Sequence, residues 1–311
     1  MIQNVPSADD LETISLRLFF NAWSSVTAIV TEFNQIVGNP QEEELEWAVY
    51  AESAQNDLQG VYALVLQSQE IGIKSHLARI SPFLLLKKYD AKPITQGTTD
   101  YDFSDFPTID AGELVRVHNM FCPVPLSPAF SEDFDKLRRA RNKIAHLGML
   151  NERLDPHELI GLLFKHYEAL YAGRRWLPDR LKFISSERWA GYDGGSDWSP
   201  TGAVLNEFWD IQSDLTADQM KIVLGHDPSE QRHVCPRCGY LLEQHTMGSE
   251  PYGQDVPTAF ADGASHVECS LCLNVFSLRE HICNDEECAG THVATDGEHE
   301  EICTVCGGAQ S

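Results

Sequence analysis

The stretch Asp133-Phe134-Asp135-Lys136-Leu137-Arg138-Arg139-Ala140-Arg141-Asn142-Lys143-Ile144-Ala145-His146-Leu147-Gly148 decides the reading of this chain. Leu137, Ala140, Ile144 and Leu147 recur at helical spacing and draw a single apolar stripe, so the stretch predicts a helix. Gly148 stands where a left-handed C-cap would end it. At about 100° per residue, Asp135, Arg139, Asn142 and His146 share the face opposite the stripe, and Arg141 falls at the edge of the buried side.

That helix is basic on a chain that is not. The 311 residues carry a formal net charge of −24, which argues against indiscriminate binding to nucleic acid or anionic membrane. Residues 136–188 nevertheless hold 12 Lys/Arg against 6 Asp/Glu, leaving 11 basic and 41 acidic residues for the remainder. One basic island sits in an acidic body. At 42% hydrophobic the chain can build a substantial core, and its length suits two domains, or one with an appendage. The acidic start from Met1 to Glu12 is unlike a secretory signal. The longest charge-free stretch, Leu18–Thr31, is 14 residues long and includes Asn21, Ser24 and Ser25, too short and polar to span a bilayer. A cytoplasmic protein without membrane association is expected.

Outward from the basic helix, residues 8–37 predict a long helix capped by Ser7 or Asp9. Gly38-Asn39-Pro40 stops it and starts a second helix with Glu42, Glu43 and Glu44 in its first turn, running to about Ile80. These two make an antiparallel hairpin. Tyr89–Phe106 reads as loop, and Asp110 caps a short helix from Ala111 to about Met120. Pro123, Pro125 and Pro128 precede the basic helix, and Asp155-Pro156 opens another helix to about Ala172, with Leu159, Leu162, Leu163, His166, Tyr167 and Leu170 inward. Trp189–Ser196 reads as linker, followed by short helices at Leu205–Trp209 and Ala217–Leu224. No internal repeat stands out.

After residue 231 the composition changes. Eight of nine cysteines lie here, in close pairs, on a chain with no export signal, so metal binding is preferred over disulfides. Cys235, Cys238, Cys269 and Cys272 form one expected four-cysteine set, with 30 residues between its pairs, and Cys283, Cys288, Cys303 and Cys306 form a second, with 14 between. Four thiolates and no open position suit two structural Zn2+ ions rather than catalytic ones. The looser Cys283-x4-Cys288 spacing leaves His281, His292 or His299 as alternative ligands, and interleaved pairing stays open. This zinc-ribbon-like module carries only Arg232, Arg237 and Arg279 against 13 Asp/Glu, so it is expected to face protein, or to cover the basic island, rather than to bind nucleic acid. Cys122 reads as a packing residue.

The motif Arg141-Asn142-Lys143-Ile144-Ala145-His146, within this helical order, resembles the Arg-x4–6-His signature of the HEPN-domain family over roughly residues 8–175. The resemblance implies a mainly α fold: a HEPN-type four-helix up-down bundle (1–188), a linker with short helices (189–230) and a small C-terminal zinc-binding β/loop module (231–311). It also implies a metal-independent endoribonuclease of toxin or antiviral defence systems, working as a homodimer through the motif helix, with RNA as substrate and a protein partner or antitoxin as possible regulator. Arg141 and His146 are then catalytic with Asn142 orienting, Arg138, Arg139 and Lys143 contact RNA, and Arg139 paired with His146 also fits the family's spacing. Glu70 and Lys74 could face the motif. The alternative is a non-catalytic HEPN scaffold or regulator whose zinc module mediates protein–protein interaction.

Overall fold

A computed structural model describes residues 2–36, 43–87, 101–148, 153–187, 199–239, 258–261, 265–295, 297 and 301–310. The Gly38-Asn39-Pro40 turn, Glu42, most of the Tyr89–Phe106 loop, the Trp189–Ser196 linker and His299 lie outside these residues. The chain divides into two compact units, 1–172 and 173–311. It is mainly helical, with an antiparallel sheet near the C-terminus. No described helix is long and apolar enough to cross a membrane.

In the first unit, α1 (Ala8–Ile36) begins where Ser7 Oγ accepts from Asp10 N–H at 3.0 Å, so Ser7 is the cap. The expected second helix is two, α2 (Glu43–Ser53) and α3 (Gln55–Ile80), interrupted at Ala54 with φ −82° and ψ 0°. Beside the break, Ser53 Oγ donates to the Tyr50 carbonyl at 2.7 Å, competing with helical bonding as hydroxyls do. The pairs Glu12–Arg79 and Ser15 Oγ–Ser68 O run α1 and α3 antiparallel, and Tyr50 on α2 donates to Glu32 on α1.

Next come α4 (Ala111–Phe121), α5 (Pro128–Leu147) and α6 (Pro156–Leu170). Asp155 accepts from the His157 and Glu158 amides at the head of α6, as its sequence predicts, but Asp110 makes no capping bond to α4 and pairs with Lys87 instead. Trp23 on α1 meets Phe164 on α6 edge-on at 5.3 Å, and Phe19 meets Tyr167 at 5.7 Å. The core is completed by Leu58, Ile73 and Leu77 of α3 and Phe134 and Leu137 of α5. Helices α1, α3, α5 and α6 therefore pack together, in the order the sequence predicts. A short parallel pair, β1 (Ile2–Gln3) with β2 (Tyr101–Asp102), ties the N-terminus down.

The second unit starts earlier than the sequence suggests. Helix α7 (Trp176–Ser186), expected within a 1–188 helical domain, packs instead against α8 (Pro200–Ile211) and α9 (Ala217–Leu224). Residues 199–224 are thus part of a packed trio and not a linker. The reason lies in long-range pairing that periodicity cannot reveal: buried Arg180 on α7 donates through Nε to Glu207 on α8 at 3.0 Å. Nor is the region after 231 a separate body. Arg175 pairs with Glu268, and the His226 ring stacks on buried Phe260 at 4.6 Å, joining helices and sheet.

That sheet is a six-stranded antiparallel meander: β3 (Arg232–His233), β4 (Ala259–Ala261), β5 (His266–Cys269), β6 (Val275–Glu280), β7 (His292–Thr295) and β8 (Ile302–Cys303). It curls until its ends meet, where the Val234 amide beyond β3 donates to the Thr304 carbonyl beyond β8 at 2.9 Å.

Candidate metal centres and the basic helix

The meander places the cysteines. Cys235 and Cys238 follow β3, and Cys269 and Cys272 lie at the turn from β5 to β6. Cys283 and Cys288 fill the connection from β6 to β7, and Cys303 and Cys306 flank the end of β8. Two groups result, Cys235/Cys238/Cys269/Cys272 and Cys283/Cys288/Cys303/Cys306, each with all four Sγ atoms within 4.8 Å of one another. The pairing is sequential, and among the described residues no histidine joins either group.

The spacing is that of a tetrahedron around a metal. Sulfurs bound to one zinc ion at about 2.3 Å stand about 3.8 Å apart. Cys235–Cys272 is 3.7 Å, Cys238–Cys269 3.8 Å, Cys283–Cys306 3.6 Å and Cys288–Cys303 3.8 Å. Both groups could therefore hold a metal ion such as zinc.

The backbone around them is built for thiolates. Amides of Cys238 and Cys272 and the Asn274 side chain point at sulfurs of the first group at 3.5 Å, and amides of Gly290 and Val305 at sulfurs of the second at 3.4 and 3.5 Å. Hydrogen bonds from Cys235, Cys238 and Cys269 pull the Cys272 thiol down, while the bond with Cys235 pushes Cys238 up. Binding of a cation by such a group releases the thiol protons.

Three of the cysteine pairs share a turn that the sequence did not reveal as a repeat. The residue after the second cysteine returns its amide to the carbonyl of the first at 2.9 Å: Gly239 to Cys235, Leu273 to Cys269 and Gly307 to Cys303. Gly307 adopts φ 73°, and Leu273 is forced to φ 59°, a conformation that costs an ordinary residue roughly 1–2 kcal/mol. Gly290 matters for space: a Cβ there would stand 2.3 Å from Cys303 Sγ. The signal for it was present in the sequence, as a glycine two residues after Cys288.

The basic helix differs from its expected picture in one respect. Ser127 caps α5, accepting from the Phe130 amide at 3.1 Å, and Gly148 ends it at φ 74°. Its buried residues, however, are Phe130, Phe134 and Leu137. Ala140 and Ile144 are half-buried and Leu147 is 71% exposed, so the stripe is sealed only in the first half of the helix. Arg141 is exposed rather than set at a buried edge. It acts on Glu70, as does Lys74 one turn along α3, which places Glu70 near Arg141; burial pushes the Glu70 carboxyl up against the pull of those two cations.

Arg139, Asn142 and His146 lie within about 60° of one another around the helix, whereas Arg141 and His146 stand about 140° apart. A single helix therefore does not converge Arg141 and His146 on one phosphate. Arg141 Nη1 reaches Asn142 Oδ1 only at 3.5 Å, and His146, exposed, has no hydrogen bond among the described residues.

The rest of the basic island is largely spent. Arg138 pairs with Asp135 at 3.2 Å and Arg139 donates to the Asp135 carbonyl at 3.2 Å, while Arg174 pairs with Asp179, Arg175 with Glu268 and Arg180 with Glu207. The last three belong to the second unit, so the island is divided. Compared with known proteins, the chain matches no family model, no curated protein and no solved structure.

Proposed function

We propose that the chain is a HEPN-type endoribonuclease, of the toxin or antiviral-defence kind, which works as a homodimer through α5 in the cytoplasm. The observation that carries this reading is the second half of α5. Arg139, Arg141, Lys143 and His146 are exposed there, beside the end of the apolar stripe, where Ile144 is half-buried and Leu147 exposed. A second α5 packed on that stripe would bury the leucine and bring the Arg141 of one copy toward the His146 of the other.

The chemistry needs no metal. The RNA supplies its own nucleophile, the 2′-OH, which attacks the adjacent phosphorus as the P–O5′ bond breaks, giving a 2′,3′-cyclic phosphate and a 5′-OH. One His146 takes the 2′-OH proton, and that of the other copy gives a proton to O5′. Arg141 binds the phosphate oxygens and stabilises their charge, with Asn142 orienting and Arg138, Arg139 and Lys143 holding the strand. Two Zn2+ ions at the cysteine groups are structural in this reading.

The test is RNA cleavage by the purified protein, His146→Ala and Arg141→Ala in the presence of EDTA. Activity confined to the wild type supports the nuclease; equal activity in all three overturns it. A second reading, a non-catalytic scaffold or regulator whose acidic zinc module recruits a protein, is favoured by the paired state of most arginines in the island. It predicts no cleavage by any of the three.

A further inference from the structure

At the junction of α3, α4 and α6, two histidines stand in a chain of hydrogen bonds. His76 Nε2 lies 2.8 Å from the Leu170 carbonyl, His76 Nδ1 lies 3.0 Å from His118 Nε2, and His118 Nδ1 lies 3.1 Å from Asn119 Oδ1. Both ends of the chain are acceptors. Leu170 offers a carbonyl oxygen. Asn119 is oriented by Leu126, whose amide donates to Oδ1 at 2.8 Å and whose carbonyl accepts from Nδ2 at 3.2 Å, so the atom facing His118 is oxygen and not nitrogen.

Counting protons settles what this requires. Three contacts need three N–H donors: one toward Leu170, one between the rings and one toward Asn119. Two neutral imidazoles bring only two. A neutral pair must leave one contact as lone pair against lone pair, which is repulsive at these distances. We propose that His76 and His118 form a site that binds one proton shared between them, and that losing this proton opens one of the three contacts, two of which join α3 to α4 and to α6.

His118 is buried and His76 partly so, with ring centroids 5.2 Å apart. Among the described residues the polar groups meeting the pair are the Asn119 amide from α4 and the Leu170 carbonyl from α6, and the charge-bearing neighbour acting on His118 is His76 itself. Burial pulls His118 below the usual histidine range, against the pull of the Asn119 amide. Oxygen acceptors at both ends of the pair offset that burial for a shared charge. The pair titrates as a unit, and its protonation state is tied to how α4 and the end of α6 sit on α3.

The experiment is NMR of the full chain with 15N-labelled histidine, followed from acid to alkaline pH. The expected result at neutral pH is His118 Nδ1 and His76 Nε2 both protonated, with the single excess proton of the pair then lost in one step that moves the signals of both rings together. In His118→Gln, whose amide can donate to His76 Nδ1, the excess proton should disappear at neutral pH while the fold, read by circular dichroism, persists. In His76→Gln, the His118 ring should likewise be neutral there. Two neutral rings at neutral pH in the wild type, or a His76 titration unchanged by His118→Gln, would overturn the proposal.

Discussion

The glycine at 290 and the histidine at 166 show how much one side chain can decide. Gly290 is packed against two sulfurs of the second cysteine group, and Gly290→Ala puts a methyl where Cys303 Sγ stands. The expected outcome is a fall in bound metal from two ions to one per chain, with four additional thiols open to a thiol reagent; metal analysis and a thiol count check it. His166 is buried between α3 and α5, hydrogen-bonded to Gln69 and edge-on to Phe130 at 4.9 Å. Burial first, and Lys165 second, push it down to about 3. The folded state therefore holds this ring neutral while the unfolded chain takes up a proton as pH falls through the ordinary histidine value. Stability is unaffected by this group above that value and is lost below it, by about 2–3 kcal/mol between pH 6.5 and pH 4.5. Thermal melts across that range should show the loss, and His166→Asn should flatten the slope.

Among the elements, α5 is the one on which the proposed function rests. Its N-terminal half is a core helix and its C-terminal half a surface one, a division hidden in a stripe of uniform spacing. Because Leu147 is already exposed, Leu147→Asp should leave the folding stability within about 0.5 kcal/mol of wild type, as read by thermal melts. If a second α5 packs there, the same substitution should lower dimer content, measured by analytical ultracentrifugation, and RNA cleavage with it. A wild-type chain that stays monomeric at all concentrations would remove the basis for the composite site. The sheet offers the complementary lesson. Its strands are two to six residues long, too short to stand alone, and the cysteine groups hold their turns together.

For the molecule as a whole, two compact units imply two stabilities. The first rests on aromatic and aliphatic packing around Trp23, Phe134 and Phe164; the second has its sheet cross-braced by eight thiols. Chelation should therefore unfold the second unit and spare the first. Calorimetry with a strong chelator is expected to shift one transition to lower temperature and leave the other in place, with most of the helical circular dichroism of the first unit intact. A single transition that moves as one would contradict the division at 172/173.

The sequence alone determined the helices of the first unit, because stripes, caps and prolines are local: Ser7, Asp155-Pro156 and Gly148 all do what their positions predict. It also determined the two cysteine groups, since the close paired spacing is that of metal-binding knuckles. The break at Ala54 is local as well, but periodicity does not encode it. Three things were decided only in three dimensions. The boundary at 172/173 depends on Arg175–Glu268 and Arg180–Glu207, partners far apart in the chain. The exposure of Arg141 and Leu147 depends on which neighbours α5 meets and where they end. The His76–His118 chain joins three helices through atoms separated by up to 94 positions. Local propensity writes elements into a sequence, whereas charge pairing and burial are properties of what those elements meet when they pack.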